Sequence, residues 1–205
     1  GEPLRSTHGL DTSIAWDLGG ARSYVLEGNL NYTGAVVSWL EDDVHLIGDA
    51  AETEVLVRSA NPDDRSYFVP AFTGLGAPWW DSEATGLLTG VTRTTGRSEI
   101  VRACLDCIAY QVADVVDVMR QDTGLAVGEL RVDGGPTRNR YLMQMQADVA
   151  EARVSASGLE ELSAAGAAVL AGRATGLEGL EAGLGKAGRM EFEPSMEQGR
   201  RALLV

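Results

Sequence analysis

The sequence is poor in lysine, histidine and cysteine, and it lacks a long apolar segment. None of its apolar runs approaches the 18 residues of a membrane-spanning helix, and no charged-then-apolar signal opens the chain. Lys186 is the only lysine among 17 basic residues. We therefore expect a protein that neither spans a membrane nor carries a secretion signal, and that works in the cytoplasm.

The few histidines and cysteines give little support to catalytic or metal chemistry. His8 and His45 have no carboxylate or serine at the spacing of a catalytic triad, so we expect surface or capping roles. Cys104 and Cys107 lie in one helical pattern without a local His or Cys partner for zinc. We expect both cysteines to be buried, reduced thiols.

The charge balance restricts the class of partner. The 205 residues include 30 acidic and 17 basic side chains, which gives a formal net charge of −13. This charge repels phosphate backbones and anionic lipid headgroups, so nucleic acids and membrane surfaces are not expected partners. A nucleotide remains compatible, because backbone N–H groups, helix N-termini and a metal ion can form a local phosphate site.

Hydrophobic spacing and turn residues predict one α/β domain with a mixed sheet flanked by helices. The helix at 98–122 has the clearest pattern, and Gly124 is placed to end it in the left-handed conformation. We expect this helix, the strands around it and the Ala-rich helix at 163–175 to bury one another. The predicted strands are 13–16 and 23–27 (a hairpin), 67–69, 86–92, 129–132 and 153–155. The predicted helices are 29–47, 49–59, 98–122, 138–150 and 163–175, and the pattern after residue 176 is weak.

Residues 130–139 (LRVDGGPTRN) carry the strongest local signal for ligand binding. A strand leads into Gly134 and Gly135 and then into a helix N-terminus, which brings bare backbone and free N–H groups to a ligand. The same pattern occurs in ordinary tight turns, so a nucleotide site and a plain turn both stay open. Asp133 fits a role in ordering this turn better than that of a metal ligand or base.

Two other features also have alternative interpretations. Trp79 and Trp80 could stack on a polyol, but inside a Gly/Pro loop they fit better as anchors that pack the loop onto its own domain. The acidic clusters at 41–43 and 61–64 could bind Mg²⁺ or Ca²⁺. Because neither has the spacing of a calcium loop, we favour a solvated face or a turn.

Several motifs follow one another along the chain. They are 67–81 (YFVPAFTGLGAPWWD), 86–91 (GLLTGV) with 99–100 (EI) and 103–106 (ACLD), 108–111 (IAYQ), and 163–168 (SAAGAA). In this order they resemble the motifs of the FGGY carbohydrate kinases: the first resembles the PAFxGLGAPxWD segment, the second group the second family signature, and the last a TALGAA segment. Cys104 departs from the pattern, since it takes a position that is usually small or aliphatic. The resemblance extends from Gly1 to about Pro194.

The resemblance implies the actin-like, ribonuclease H-like ATPase fold, in which two such domains close on ATP and residues 1–205 form the second. It implies that Gly135 and Asn139 contact the adenosine part of the nucleotide and that Gly134 supports the same turn. Gly34 matches another nucleotide-contacting glycine. Ser38 stands near the nucleotide where the resemblance leads us to expect Gln, so the adenine pocket is expected to differ in detail.

The resemblance also implies an ATP-dependent phosphotransferase that acts on a polyol, with glycerol the first candidate. The family's phosphate loop, catalytic aspartate and phosphate turn align upstream of Gly1, so we expect residues 1–205 alone to be inactive. The implied cofactors are ATP and Mg²⁺, the metal being held mainly by the nucleotide and the other domain. The implied partners are ATP or ADP, the polyol, the chain's own N-terminal domain and further copies of the protein. Two alternatives remain open, another substrate such as a tetritol or ketose, and a stand-alone nucleotide-binding or regulatory module.

Overall fold

A computed structural model describes residues 2–159, 161–177, 179 and 188–204. Its strands are β1 (Asp11–Leu18), β2 (Ala21–Glu27), β3 (Tyr67–Val69), β4 (Leu87–Thr89), β5 (Glu129–Val132), β6 (Arg153–Ser157) and β7 (Arg189–Phe192). Its α-helices are α1 (Gly34–Ser38), α2 (Glu52–Ser59), α3 (Arg97–Thr123), α4 (Arg140–Ala150), α5 (Leu162–Ala174) and α6 (Gln198–Arg201). A π-helical turn, Trp39–Asp43, continues α1, and a 3₁₀ turn, Gly135–Arg138, precedes α4.

The long helix α3 lies in the core and confirms the prediction for 98–122 to within one residue at each end. The Glu99 carboxylate accepts the backbone N–H of Gly96 at 2.8 Å, which satisfies a donor at the helix N-terminus. At the other end Gly124 has a φ of 66°, the left-handed value that glycine adopts without strain. Val101, Cys104 and Leu105 are almost fully buried, so α3 supplies much of the apolar core.

The predicted mixed sheet is present as β5–β6–β7. Strand β5 pairs in parallel with β6 through the crossover helix α4, and β6 pairs antiparallel with β7. The sequence pattern predicted β5 with the observed bounds. It predicted β6 to end two residues before the observed strand does, and it did not predict β7. The other strands form two antiparallel pairs, the predicted hairpin β1–β2 and the pair β3–β4.

Three predictions about local structure need correction. The helix predicted at 29–47 begins at Gly34 and its π-helical turn ends at Asp43, because His45 follows with a left-handed φ of 52°. Val44 continues the helical spacing of the buried Val36 and Leu40, yet it is 38% exposed. The strand predicted at 86–92 is shorter, because only Leu87–Thr89 pairs with β3. The helix predicted at 138–150 begins at Arg140, because the 3₁₀ turn Gly135–Arg138 precedes it.

The Ala-rich helix α5 forms where it was predicted, but it does not join the core. Gly172 is its only buried residue, and Leu162 and Leu170 are exposed. The expectation that this helix and α3 bury one another is therefore wrong for the described residues. Alanine favours a helix wherever it lies, so composition indicated the element but not its neighbour. Within the described part of the chain, no helix has both the length and the apolarity needed to cross a bilayer.

The N-terminal segment is tied to the end of α3 through Asp122, a contact that sequence spacing did not indicate. His8 Nδ1 lies 2.6 Å from Asp122 Oδ1, and the Thr7 backbone N–H donates to the same carboxylate at 3.1 Å. Hydrogen bonds from Ser6 and His8 are the main reason that the pKa of Asp122 lies well below its usual range. His8 lies at the surface, as expected, and its carboxylate partner is 114 positions away in sequence.

We expect Asp122→Ala to lower the melting temperature by releasing the segment before Leu10. A carboxylate with a depressed folded-state pKa stabilises the fold above its unfolded pKa of about 4, and that contribution is lost as pH falls. The difference in melting temperature between the wild type and Asp122→Ala should therefore shrink between about pH 5 and pH 3. An equal difference at every pH in thermal scans would contradict this role.

Cys104 and Cys107 are buried, as predicted, with 0% and 3% of their surfaces exposed. Burial raises the pKa of the Cys104 thiol to about 12 and that of Cys107 further, so little thiolate exists at neutral pH. We expect a thiol reagent at pH 7.5 to label neither cysteine in the native protein and both in denaturant. Fast native labelling, measured by intact mass, would contradict this burial.

Candidate functional site

A cleft of about 410 Å³ lies between α1, the start of α2 and the 3₁₀ turn before α4. Four of the five predicted site residues line it, Gly34 and Ser38 from one wall and Gly135 and Asn139 from another. These two pairs are about 100 residues apart in sequence. The fifth residue, Gly134, does not line the cleft but directly precedes the 3₁₀ turn that does.

The turn after β5 owes its shape to three consecutive local features. Gly134 has a φ of 90°, which a residue with a side chain rarely adopts. The Thr137 N–H and hydroxyl both donate to the Gly134 carbonyl, at 3.1 and 2.7 Å. Asn139 then starts α4, because its Oδ1 accepts the Leu142 N–H at 2.9 Å as an N-cap.

The cleft walls are bare backbone at Gly34 and Gly135. A Cβ placed on either residue would meet no protein atom within 4 Å, and neither residue has the left-handed φ that favours glycine. Neither backbone conformation nor crowding within the domain therefore calls for glycine at these two positions. A side chain at either position would therefore enter open space, and both positions line the cleft.

The cleft carries few charges. Its ionisable lining residues are Glu41, Glu54 and Arg138, and the Glu54 carboxylate already accepts hydrogen bonds from Arg58 at 2.5 Å and from the Arg140 N–H at 3.3 Å. The floor is apolar, with Leu105 of α3 almost fully buried. An apolar cleft with a few fixed polar groups suits an uncharged, planar or sugar-like group better than a polyphosphate.

Other candidate residues lie away from this cleft. Asp133 is exposed between β5 and the turn, and its proposed role in ordering that turn stays a prediction. Trp80 donates its indole N–H to the Gly9 carbonyl at 2.6 Å, which anchors the loop to its own domain as expected. Trp79 lines a second cavity of about 330 Å³ under the 70–81 loop, and its ring is largely exposed.

The two acidic clusters were candidates for binding Mg²⁺ or Ca²⁺. No three His, Cys, Asp or Glu side chains of the described residues come together in a way that could hold an ion. In the 61–64 cluster, Asp63 N–H donates to Asn61 Oδ1, and Asp64 accepts from Ser66 and pairs with Arg102 at 3.3 Å. This cluster therefore orders a turn, as favoured from the sequence.

Sequence patterns did not identify Thr53, Glu54 or Leu105 as cleft residues. Thr53 and Glu54 lie in the first turn of α2, and Leu105 lies in the N-terminal half of α3. Helical periodicity indicated their elements, but only the tertiary packing of α2, α3 and α4 brings them to one place.

Solved structures of carbohydrate kinases share this architecture. A glycerol kinase from Plasmodium falciparum, solved with ADP, matches 98% of the chain with a TM-score of 0.86 and 35% sequence identity, and the match covers 40% of that protein. A xylulose kinase from Lactobacillus acidophilus matches 90% of the chain with a TM-score of 0.71 at 23% identity, which supports the fold alone. The chain thus has the actin-like, ribonuclease H-like ATPase fold.

Sequence comparison then defines the family. Residues 1–175 match the profile of the C-terminal domain of the FGGY family of carbohydrate kinases, and the chain belongs to this family. It is 47% identical over its whole length to a glycerol kinase of Thermococcus onnurineus and 52% identical over 167 residues to one of Rhodopirellula baltica. The chain spans 41% and 31% of the lengths of these two relatives.

Proposed function

We propose that this chain is the C-terminal, nucleotide-side domain of an ATP-dependent glycerol kinase, which converts glycerol and ATP to glycerol 3-phosphate and ADP. The observation that carries the proposal is the convergence of Gly34, Ser38, Gly135 and Asn139 on one cleft. These are the residues that family resemblance assigns to the nucleotide. The curated relatives quoted above are named glycerol kinases, whereas a xylulose kinase and a gluconate kinase of Lactobacillus acidophilus are each 23% identical to the chain and support only the fold.

In this proposal the cleft binds adenosine and leaves the phosphates to the rest of the protein. The bare backbone at Gly34 and Gly135 lets a base and ribose approach closely, and the apolar floor removes the base from water. Mg²⁺ would neutralise charge on the transferring phosphoryl group. Since no acidic cluster suits a metal in the described residues, the nucleotide and the N-terminal part of the protein would hold it.

The proposed partner of the domain is the N-terminal domain of the same protein. Helix α5 supports this, because it exposes apolar side chains that a second domain could cover. Family relationship adds two parts to the proposal, assembly into a homo-oligomer and a cytoplasmic location.

The nucleotide assignment is tested by filling the bare backbone in the full-length protein. We expect Gly135→Val, and independently Gly34→Val, to raise the Kd for ADP by at least roughly tenfold, because a branched side chain occupies the ligand's space. The melting temperature should change little, since a Cβ at either position touches no protein atom. Calorimetric titration measures the affinity, and thermal scans verify the fold.

Gly128→Val is the matched control. A Cβ at Gly128 also meets no atom within 4 Å, but this residue does not line the cleft, so ADP affinity should remain at the wild-type value. Wild-type affinity in folded Gly135→Val and Gly34→Val proteins would refute the assignment of the cleft.

We also expect residues 1–205, expressed alone, not to phosphorylate glycerol and to bind ATP weakly. Positioning of reactants accounts for roughly 7–11 kcal/mol of catalysis, and a half-site loses nearly all of it. A coupled ADP-release assay on the fragment and on the full-length protein, with glycerol, a tetritol or a ketose, measures this difference. Turnover by the fragment at roughly 1–100 per second would mean that it holds a complete catalytic site.

A further inference from the structure

Thr53 is a buried hydroxyl at the point where two walls of the cleft meet. It lies in the first turn of α2, lines the cleft and is only 1% exposed. A buried hydroxyl is costly unless it is hydrogen-bonded. The hydrogen-bond partners of the Thr53 hydroxyl therefore indicate the role of this residue in the cleft.

Thr53 and Asn139 belong to a series of hydrogen bonds in which the donor and the acceptor of each bond are determined. Asn139 Nδ2 donates to Thr53 Oγ1 at 2.9 Å, and Thr53 Oγ1 donates its own hydrogen to the Ala50 carbonyl at 2.6 Å. Asn139 Oδ1 accepts the Leu142 N–H at 2.9 Å. Because Thr53 uses its only hydrogen on Ala50, it can receive only an N–H from Asn139, so the orientation of the amide is determined.

These hydrogen bonds join α2 to the start of α4, and a second contact between the two helices lies beside them. Glu54, the next residue, accepts the backbone N–H of Arg140 at 3.3 Å. The Thr53 bond uses one of the two hydrogens on Asn139 Nδ2. The first turn of α2 thus holds both the side chain and the backbone at the beginning of α4.

We propose that Thr53 is a positioning residue of the nucleotide site, which orients the Asn139 amide and holds the turn containing Gly135 against the opposite wall. The inference rests on the proposed function of the cleft. Thr53 acts through Asn139 and not on the nucleotide itself. The hydroxyl of Thr53, and not the volume of its side chain, is what orients the Asn139 amide in this proposal.

The test compares Thr53→Val with Thr53→Ser in the full-length protein. Valine keeps the volume and loses the hydroxyl, so we expect the Kd for ADP to rise roughly 5- to 30-fold, as for loss of one buried hydrogen bond. Serine keeps the hydroxyl and should stay within about twofold of the wild type. Ser155→Ala is the control for removing a buried hydroxyl elsewhere in the domain. Ser155 is 2% exposed and its hydroxyl has no partner in the described part of the chain, so the Kd for ADP should stay at the wild-type value.

A double-mutant cycle with Asn139→Ala separates positioning from general stability. If Thr53 acts through Asn139, Thr53→Val should weaken ADP binding in the wild type but add almost nothing in Asn139→Ala. An unchanged Kd with a lowered melting temperature would overturn the inference. Equal weakening in both backgrounds would overturn it as well.

The two proposals fail in different ways. Normal ADP affinity in both Gly135→Val and Gly34→Val would overturn the assignment of the cleft and this inference with it. Loss of affinity in Gly135→Val together with wild-type affinity in Thr53→Val would overturn only the role of Thr53.

Discussion

The packing of α3 against α1, α2 and α4 is the constraint on which the cleft depends. Leu105 on α3 is 1% exposed and forms part of the cleft floor, while Val101 and Cys104 are buried within one turn of it. Protein interiors are close-packed, and one fully buried leucine contributes about 1.5–3 kcal/mol. The surrounding helices therefore cannot move independently, and the apolar core sets the distance between the two bare-backbone walls.

The charge of the cleft indicates which part of a nucleotide this domain would bind in the proposed function. The chain has a formal net charge of −13, and the charged residues of the cleft are two glutamates and one arginine. Such a cleft offers little to a triphosphate but is compatible with uncharged adenosine. In our account the phosphates and the metal ion extend out of the cleft toward the N-terminal part of the protein.

Local signals determined how much could be predicted from the sequence. The bounds of α3 were predictable because regular spacing and Gly124 specify them without outside contacts, and the same holds for β5 and its glycine turn. The Asn139–Thr53 hydrogen bond and the His8–Asp122 pair join residues that are 86 and 114 positions apart, which no local pattern contains. Strand β7 forms through its pairing with β6, and the exposure of α5 depends on what lies next to it.

Backbone hydrogen exchange of the full-length protein, with and without ADP, tests the central claim most directly. A nucleotide in the cleft would cover both walls at once, so exchange should slow at residues 34–38 and at 134–139. Exchange in the 70–81 loop, which roofs the other cavity, should not change. Protection confined to that loop, or absent from either wall at saturating ADP, would contradict the account.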